Sequence, residues 1–239
     1  NLKTIIGSET KLVVIPKQST IIPDIVFTAN SGLIIGNTFI SSCFRHDERK
    51  NETPIYNNFF NSIGFDIDNT LNEHNIPFEG AGDALFSHKH KTLVAAFGFR
   101  SDIRSISYLE TVLKNKTCSY SVIPVELIDS RFYHLDTCFC PLDNGLVLYY
   151  PEAFSVQSRE VLNEVFGRDL VPVTEDDAIN FICNAVSLGN QVILNKSSSD
   201  FESFLNLLGV NVIQAPMTEF MKSGGSCKCL TINIEEVVG

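Results

Sequence analysis

The chain has 239 residues, of which 44% are hydrophobic, and it carries a formal net charge of -10 from 18 basic and 28 acidic residues. The apolar fraction is ample for a packed core and excludes intrinsic disorder. The acidic balance, without a basic stripe along the sequence, excludes nucleic acid as a partner.

The sequence contains no segment that would place the chain in a membrane or outside the cell. No window approaches 18 uninterrupted apolar residues, and residues 1–11 lack a signal-peptide profile. Seven cysteines, an odd number, favour a reducing environment over a disulfide framework. We therefore predict a cytoplasmic protein that forms one domain over residues 1–239. Because residue 1 is Asn rather than Met, we expect an N-terminal segment of the gene product to be missing.

One pattern recurs five times in chain order: an apolar segment near a proline, a short polar cluster, and a second apolar segment. The first segments read LVVIPKQ, NIPFEGAGDAL, VIPVELI, DLVPVTEDD and VNVIQAPM. The polar clusters lie at Asn30, Asp83, Asp136, Asn184 and Cys229, at intervals of 53, 53, 48 and 45 residues. This regular period is typical of a protein built from repeated modules.

The apolar segments predict strands, because they are short, β-branched and bounded by Gly, Pro or Asn. Between them lie stretches with helical spacing, whose apolar stripes are Ile106, Leu109, Val112 and Leu113; Val161, Leu162, Val165 and Phe166; and Phe201, Phe204, Leu205 and Leu208. We expect Ser199 or Asp200 to cap the third helix. A fifth helix should precede the first strand, and residues 1–10 are too short for it. The order predicts an α/β fold in which ββαβ modules form a ring, with the polar clusters meeting at its axis.

The last cluster places two thiols, Cys227 and Cys229, beside consecutive glycines and Lys228. Glycines let the backbone approach a ligand closely, and a nearby cation favours the thiolate that a nucleophile requires. The alternative is a buried cysteine on a strand, which is the commoner role of a free cysteine. Strand alternation would put both thiols on one face, so their spacing alone does not choose between them.

Alternation would also put His134 and Asp136 on one face of a strand, where a histidine beside a carboxylate can exchange protons. Glu79 and Asp83 lie in the glycine-rich FEGAGD turn. Carboxylates near a reactive thiol fit a cationic substrate, and a planar guanidinium offers five N–H donors. Glu79, Asp136 and the side-chain carbonyl of Asn30 would hold it. Cys229 would then attack the guanidine carbon while His134 carries the proton to the leaving ammonia.

The segments PDIVFTAN, FEGAGD, YHLDT and GGSCKCLT, in this order, resemble the guanidino-modifying enzymes of the amidinotransferase superfamily. The resemblance extends from about Pro23 to Leu230. It implies the five-bladed α/β-propeller called the pentein, a small-molecule guanidino substrate and a covalent amidino-cysteine intermediate. Within the superfamily the chain is similar to the arginine dihydrolases, arginine deiminases and dimethylarginine dimethylaminohydrolases.

The resemblance implies roles for individual residues. The nucleophile is Cys229 rather than Cys227, and the catalytic set is completed by His134, Glu79 and Asp136. Arg49 and Arg100 match the two arginines that commonly hold the substrate α-carboxylate. Asp24 matches a position that contacts the guanidinium, and Asp83 is placed among the substrate-binding residues.

Asn30 departs from the pattern of the deiminases and dimethylarginine hydrolases, which generally carry Asp there, whereas the dihydrolases carry Asn. A neutral amide would tolerate citrulline better than a carboxylate would, which favours two successive hydrolyses from arginine to ornithine. An arginine deiminase or a dimethylarginine dimethylaminohydrolase is the first alternative. An amidinotransferase is the second, and a non-catalytic pentein binding module is the third. The joint presence of four catalytic residues argues against the third alternative.

Nothing in the sequence indicates a cofactor, since no nucleotide-binding or zinc-spaced motif is found. His88 and His90 are assigned no metal, because no converging carboxylates or thiols accompany them. We expect Cys138 and Cys140 to pack in the core. For Asn184 the sequence leaves two roles open, a side-chain turn cap and a substrate contact. The sequence also leaves open a homo-oligomer.

Overall fold

The structure is a computed structural model that describes residues 2–10, 13–15, 22–116 and 119–234. Four consecutive stretches of the described chain each form a three-stranded sheet in the order β-β-α-β. In each sheet the first two strands pair antiparallel, and the third returns parallel to the second after a helix. The predicted α/β class and ββαβ modules are therefore confirmed.

The modules have the following bounds. The first contains β1 (Gly32–Ile35), β2 (Thr38–Ser41), helices α2 (Asp47–Lys50) and α3 (Thr53–Ser62), and β3 (Asp66–Asp68), followed by α4 (Thr70–Glu73). The second contains β4 (Ala84–Ser87), β5 (Thr92–Phe97), α5 (Ile103–Lys116) and β6 (Ser121–Glu126). The third contains β7 (Phe139–Pro141), β8 (Val147–Tyr149), α6 (Val156–Phe166) and β9 (Leu170–Pro172), followed by α7 (Glu175–Ile179). The fourth contains β10 (Val186–Leu188), β11 (Gln191–Leu194), α8 (Ser199–Leu207) and β12 (Asn211–Gln214), followed by α9 (Thr218–Met221).

The helices bury their predicted apolar stripes unequally. In α5, Ile106, Leu109 and Leu113 are buried against the sheets, as the spacing predicts. In α8 only Phe201 and Leu205 of the predicted stripe are buried. The remaining two members, Phe204 and Leu208, are 43% and 41% exposed, so the stripe of this helix is narrower than expected.

Two expectations about helix ends differ from the structure. The cap of α8 is Ser198, whose hydroxyl accepts a hydrogen bond from the backbone N–H of Phe201, rather than Ser199 or Asp200. The N-terminal stretch expected to be too short for a helix contains α1 (Leu2–Glu9). Ile6 of this helix packs against Ala215 and Met217, so contacts with distant residues stabilise a segment that is too short to be stable alone.

One-turn 3-10 helices contain or directly precede four of the five cluster residues, at Thr28–Ser31, Gly80–Gly82, Leu135–Thr137 and Lys228–Leu230. Asn184, the remaining cluster residue, lies at a bend. Further 3-10 turns lie at Ser130–Phe132, Pro151–Ala153 and Gly167–Asp169. Gly80 has a φ of +61° and packs on the backbone of Ala29 and Gly32, leaving no room for a side chain.

The five clusters contact one another in a closed cycle. The first cluster, at Asn30, meets the second, at Asp83, where Gly80 packs on the backbone of Ala29 and Gly32. Asp83 accepts a hydrogen bond from the backbone N–H of Leu135, beside the third cluster at Asp136. The side-chain amide of Asn184, in the fourth cluster, donates to the backbone carbonyl of Asp136. The backbone carbonyl of Asn184 accepts from the backbone N–H of Lys228, beside the fifth cluster at Cys229. The cycle closes where the ring of Phe27, which precedes the first cluster, lies against Gly225, which precedes the fifth. The predicted convergence of the clusters is therefore confirmed. No fifth sheet follows the last cluster within residues 231–234, so the fifth blade stays a prediction.

Among the described residues, no helix has both the length and the apolar content needed to cross a membrane. The cysteines that the structure describes are all buried and none of them forms a disulfide. Cys138 and Cys140 pack in the largest apolar cluster, which confirms the role predicted for them.

Candidate active site

The thiol of Cys229 lies at the centre of the ring of polar clusters and is 3% exposed. Its Sγ is 3.3 Å from Oδ2 of Asp136 and 3.0 Å from Nδ2 of Asn184. Burial, together with the negative charge of Asp136, raises the pKa of this thiol well above its ordinary value. Both effects favour the neutral thiol over the thiolate.

The neighbouring thiol points elsewhere. Cys227 Sγ lies 3.9 Å from the carbonyl oxygen of Ala215, in an apolar cluster that includes Ile6 and Met217. The expectation that strand alternation puts Cys227 and Cys229 on one face is wrong, because the chain here enters a 3-10 turn, in which residues two apart point in different directions. Lys228 lines a separate apolar groove, so its side chain does not belong to the cavity at Cys229.

His134 forms a buried pair with Glu79, whose Oε2 lies 2.7 Å from Nε2 of the imidazole. Arg100 donates to the same carboxylate oxygen over 3.2 Å. Burial alone would raise the pKa of Glu79, but the hydrogen bond and charge of His134 and the charge of Arg100 hold that pKa at about 2. Burial disfavours the imidazolium, yet the carboxylates of Asp83 and Glu79 raise the pKa of His134 above its ordinary value. The pair therefore favours a charged, proton-bearing histidine.

His134 and Asp136 belong to a turn rather than to the strand expected from alternation. His134 precedes the one-turn helix Leu135–Thr137, which contains Asp136. Both side chains still face the ring axis, where Asp136 contacts Cys229 and His134 contacts Glu79. Oδ1 of Asp136 is buried and has no hydrogen-bond partner among the described residues.

Asp83 lies behind His134 and does not line the cavity. Its Oδ1 accepts from the backbone N–H of Leu135 over 3.1 Å, and its Oδ2 accepts from the hydroxyl of Ser101 over 2.6 Å. The Ser101 hydroxyl also accepts from the backbone N–H of Glu79. Burial raises the pKa of Asp83 to about 6. Asp83 thus connects the backbones that carry His134 and Glu79.

Arg49 is buried and held from several sides. Its guanidinium forms a two-point ion pair with Glu52, at 2.7 and 2.8 Å, and donates to Oδ1 of Asn30 over 2.8 Å. A fourth bond, of 3.3 Å, reaches the backbone carbonyl of Asp24. Because arginine only donates, the Asn30 amide must turn its oxygen toward Arg49. Nδ2 of Asn30 then faces Gly82 and has no hydrogen-bond partner among the described residues.

These side chains surround a cavity of about 90 Å³. Its lining residues are Asp24, Phe27, Asn30, Arg49, Arg100, Tyr133, His134, Ser223, Gly224 and Cys229. The Arg100 guanidinium lies 4.6 Å from the centre of the Tyr133 ring, whose hydroxyl donates to the carbonyl of Gly224. A far larger groove, of about 1490 Å³, has a mostly apolar lining and contains none of the four predicted catalytic residues.

Sequence reasoning missed Phe27, Tyr133, Glu52 and Ser101, and it left the role of Asn184 open. Phe27 and Tyr133 lie within the PDIVFTAN and YHLDT segments, so those segments contained a signal for them. Glu52 lies three residues after Arg49, and Ser101 directly follows Arg100, so both adjoin residues that the sequence predicted. Only the folded chain shows that Glu52 pairs with Arg49 and that Ser101 bonds to the backbone of Glu79. The structure places Asn184 against Cys229.

His88 and His90 form ordinary polar contacts. His90 Nε2 lies 3.0 Å from Asp169 Oδ2, and its Nδ1 lies 2.9 Å from the hydroxyl of Ser87. No cluster of three or more His, Cys, Asp or Glu side chains suited to a metal ion is found among the described residues.

A sequence model of the family described as N,N dimethylarginine dimethylhydrolase, eukaryotic, matches residues 5–236. The bifunctional arginine dihydrolase/ornithine cyclodeaminase AgrE of Nostoc sp. is 43% identical over 90% of this chain, and this chain spans only 30% of its length. The N(G),N(G)-dimethylarginine dimethylaminohydrolase of Mycobacterium tuberculosis is 36% identical, over 89% of this chain and 67% of its own.

Solved structures agree with these relationships. The substrate-bound N-terminal domain of ArgZ, an arginine dihydrolase from the ornithine-ammonia cycle in cyanobacteria, superposes with a TM-score of 0.90 and 39% identity. The superposition covers 98% of this chain and 83% of that domain. Because the family model matches most of the chain, and the relatives and the solved structure agree with it, the chain belongs to the dimethylarginine dimethylaminohydrolase family.

Proposed function

We propose that this protein hydrolyses the guanidino group of arginine, or of a close analogue, through a covalent intermediate on Cys229. The observation that carries the proposal is that Cys229, His134 and Asn30 line one small cavity. Asp136 contacts the thiol of Cys229, and Glu79 contacts the imidazole of His134. The volume of about 90 Å³ equals the share of about three water molecules, which suits a guanidino head group rather than a macromolecule.

The carboxylates of the site favour a cationic substrate, and the bound cation in turn favours the thiolate of Cys229. Asp24 lines the cavity and Asp136 has a free oxygen beside the thiol, so both can accept N–H groups of a guanidinium. The bound cation offsets the carboxylate that disfavours the thiolate, and it thereby lowers the pKa of Cys229. Substrate binding would thus generate the nucleophile where it is needed.

The reaction then proceeds in balanced steps. The thiolate of Cys229 forms a bond to the guanidine carbon, and the C–N bond to one amino group breaks. His134, held protonated by Glu79, gives its proton to the leaving ammonia. The neutral imidazole next removes a proton from the attacking water, and the C–S bond breaks to release citrulline.

A second cycle on citrulline follows from the chemistry of Asn30. Its free Nδ2 hydrogens can donate to the ureido oxygen, which carries negative charge as the thiolate attacks. The whole sequence consumes arginine and two waters and yields ornithine, carbon dioxide and two ammonia molecules. A deiminase or dimethylarginine hydrolase, which stops after one cycle, is the second candidate, and the match to that family model favours it.

The two arginines differ in their availability to a substrate α-carboxylate. Arg49 is largely occupied by Glu52 and Asn30, whereas Arg100 has one 3.2 Å bond to Glu79 and stacks on Tyr133. We therefore assign Arg100 the larger part of carboxylate binding. A cytoplasmic location, a single domain over residues 1–239 and a homo-oligomer stay predictions.

The deciding experiment incubates the protein with arginine, citrulline and methylated arginines, and measures ammonia, citrulline and ornithine over time. Ornithine from both arginine and citrulline supports the dihydrolase. Citrulline alone supports the second candidate, and dimethylamine from dimethylarginine identifies its substrate. An absence of every product, with Cys229→Ser as the blank, refutes guanidino hydrolysis.

A further inference from the structure

The carboxamide of Asn184 contacts both the backbone and the thiol of Cys229. Its Oδ1 accepts from the backbone N–H of Cys229 over 3.1 Å, and its Nδ2 lies 3.0 Å from the Sγ. The same Nδ2 donates to the backbone carbonyl of Asp136 over 2.9 Å. Asn184 is fully buried, so these contacts are not exchanged for water.

The direction of the amide is fixed by chemistry. A backbone N–H only donates, so the atom that faces the nitrogen of Cys229 must be the oxygen of Asn184. A backbone carbonyl only accepts, so the atom that faces the carbonyl of Asp136 must be the nitrogen. Both backbone partners therefore require that the atom of Asn184 that faces Sγ is the donor Nδ2.

This donor opposes the groups that keep the thiol neutral. Burial and the carboxylate of Asp136 both favour the protonated form, whereas the Asn184 amide and the backbone of Ser226 favour the thiolate. The other titratable groups at the cavity and on the adjoining turn are Asp24, Arg49, Arg100, Tyr133, His134 and Lys228. None of these side chains donates a hydrogen bond to Sγ within the described residues, so the amide of Asn184 is the group placed to stabilise the charged sulfur.

We propose that Asn184 is a catalytic residue of this site, whose N–H stabilises the Cys229 thiolate while its carbonyl oxygen anchors the nucleophile's backbone. The inference rests on the proposed function for its role in turnover. Its effect on the sulfur itself needs no substrate and can be measured separately.

The test measures the rate of alkylation of Cys229 by iodoacetamide from about pH 7 to about pH 12, a range that extends above the ordinary pKa of a thiol, with the adduct located by mass spectrometry. Asn184→Leu removes both contacts, whereas Asn184→Asp keeps an acceptor for the backbone N–H and loses the donor. Asn195→Leu is the matched control, because Asn195 is also buried and bridges the backbones of Asn180 and Met217 away from the thiol. Circular dichroism establishes that each variant is folded.

We expect the inflection for Asn184→Leu to rise by about one pH unit, with alkylation near pH 8 about tenfold slower, since a hydrogen bond to a charged group is lost. Asn184→Asp should shift the inflection further, because a carboxylate repels the thiolate. Asn195→Leu should leave it unchanged. If Asn184→Leu fails to fold, Asn184→Asp decides the matter.

The outcomes separate the two proposals. An unshifted inflection in a folded Asn184→Asp overturns the inference and leaves a purely structural anchor, whatever the activity. A shifted inflection in a protein that hydrolyses no guanidino compound supports the role of Asn184 at the sulfur and refutes the proposed function instead.

Discussion

Replacing Asn30 by Asp tests whether this site carries out one hydrolysis or two. The buried Nδ2 of Asn30 has no described partner, and an unpaired buried donor costs about 1–3 kcal/mol. A ureido oxygen that accepts this hydrogen bond in the transition state recovers that energy, which corresponds to about 5- to 160-fold in rate. The new carboxylate would also repel the negative charge that develops on the oxygen. We therefore expect Asn30→Asp to slow citrulline hydrolysis about 100-fold or more.

The assay follows ornithine from citrulline and, separately, citrulline from arginine. The new carboxylate can still pair with Arg49, which lies 2.8 Å from Oδ1 of Asn30, so the variant should fold. Asn37→Asp makes the same chemical change on an exposed turn and controls for the added negative charge. The reasoning is refuted if Asn30→Asp forms ornithine as fast as the wild type, or if the wild type itself stops at stoichiometric citrulline.

Three further predictions concern the remaining residues. Cys229→Ser should abolish turnover while Cys227→Ser retains most of it, and a substrate adduct trapped on Cys227 would contradict the assignment. Arg100→Ala and, less strongly, Arg49→Ala should raise KM for arginine more than they lower kcat, because a carboxylate clamp acts mainly in ground-state binding; agmatine turned over as well as arginine would disprove the clamp. The pKa of Glu79 falls from 4.5 to about 2 on folding, so its contribution to stability is present above about pH 4.5 and is lost as the pH falls toward 2. Denaturant titrations of Glu79→Gln should show a weaker pH dependence in that window, and an unchanged slope would refute it.

The modular fold and the chemistry-bearing residues can be predicted from the sequence alone. Short β-branched segments and a period near 50 residues specify ββαβ modules, because strand and helix periodicity are local properties. The same period brought Asn30, Asp136 and Cys229 into one ring, which the cyclic contacts of the clusters confirm. Residue type then indicated a cationic substrate.

The way in which those residues contact one another depends on the folded chain. The backbone at Cys229 and at His134 forms 3-10 turns, and such turns depend on neighbouring modules rather than on local alternation. Glu52 follows Arg49 by three residues, but only the fold shows that the two form an ion pair and that the Arg49 guanidinium donates to Oδ1 of Asn30, which fixes the direction of that amide. Asn184 is 45 residues from Cys229 in sequence, and its hydrogen bonds to the thiol and the backbone exist only once the fourth and fifth clusters meet. Hydrogen-bond direction is a property of partners in space, so no reading of a single segment could supply it.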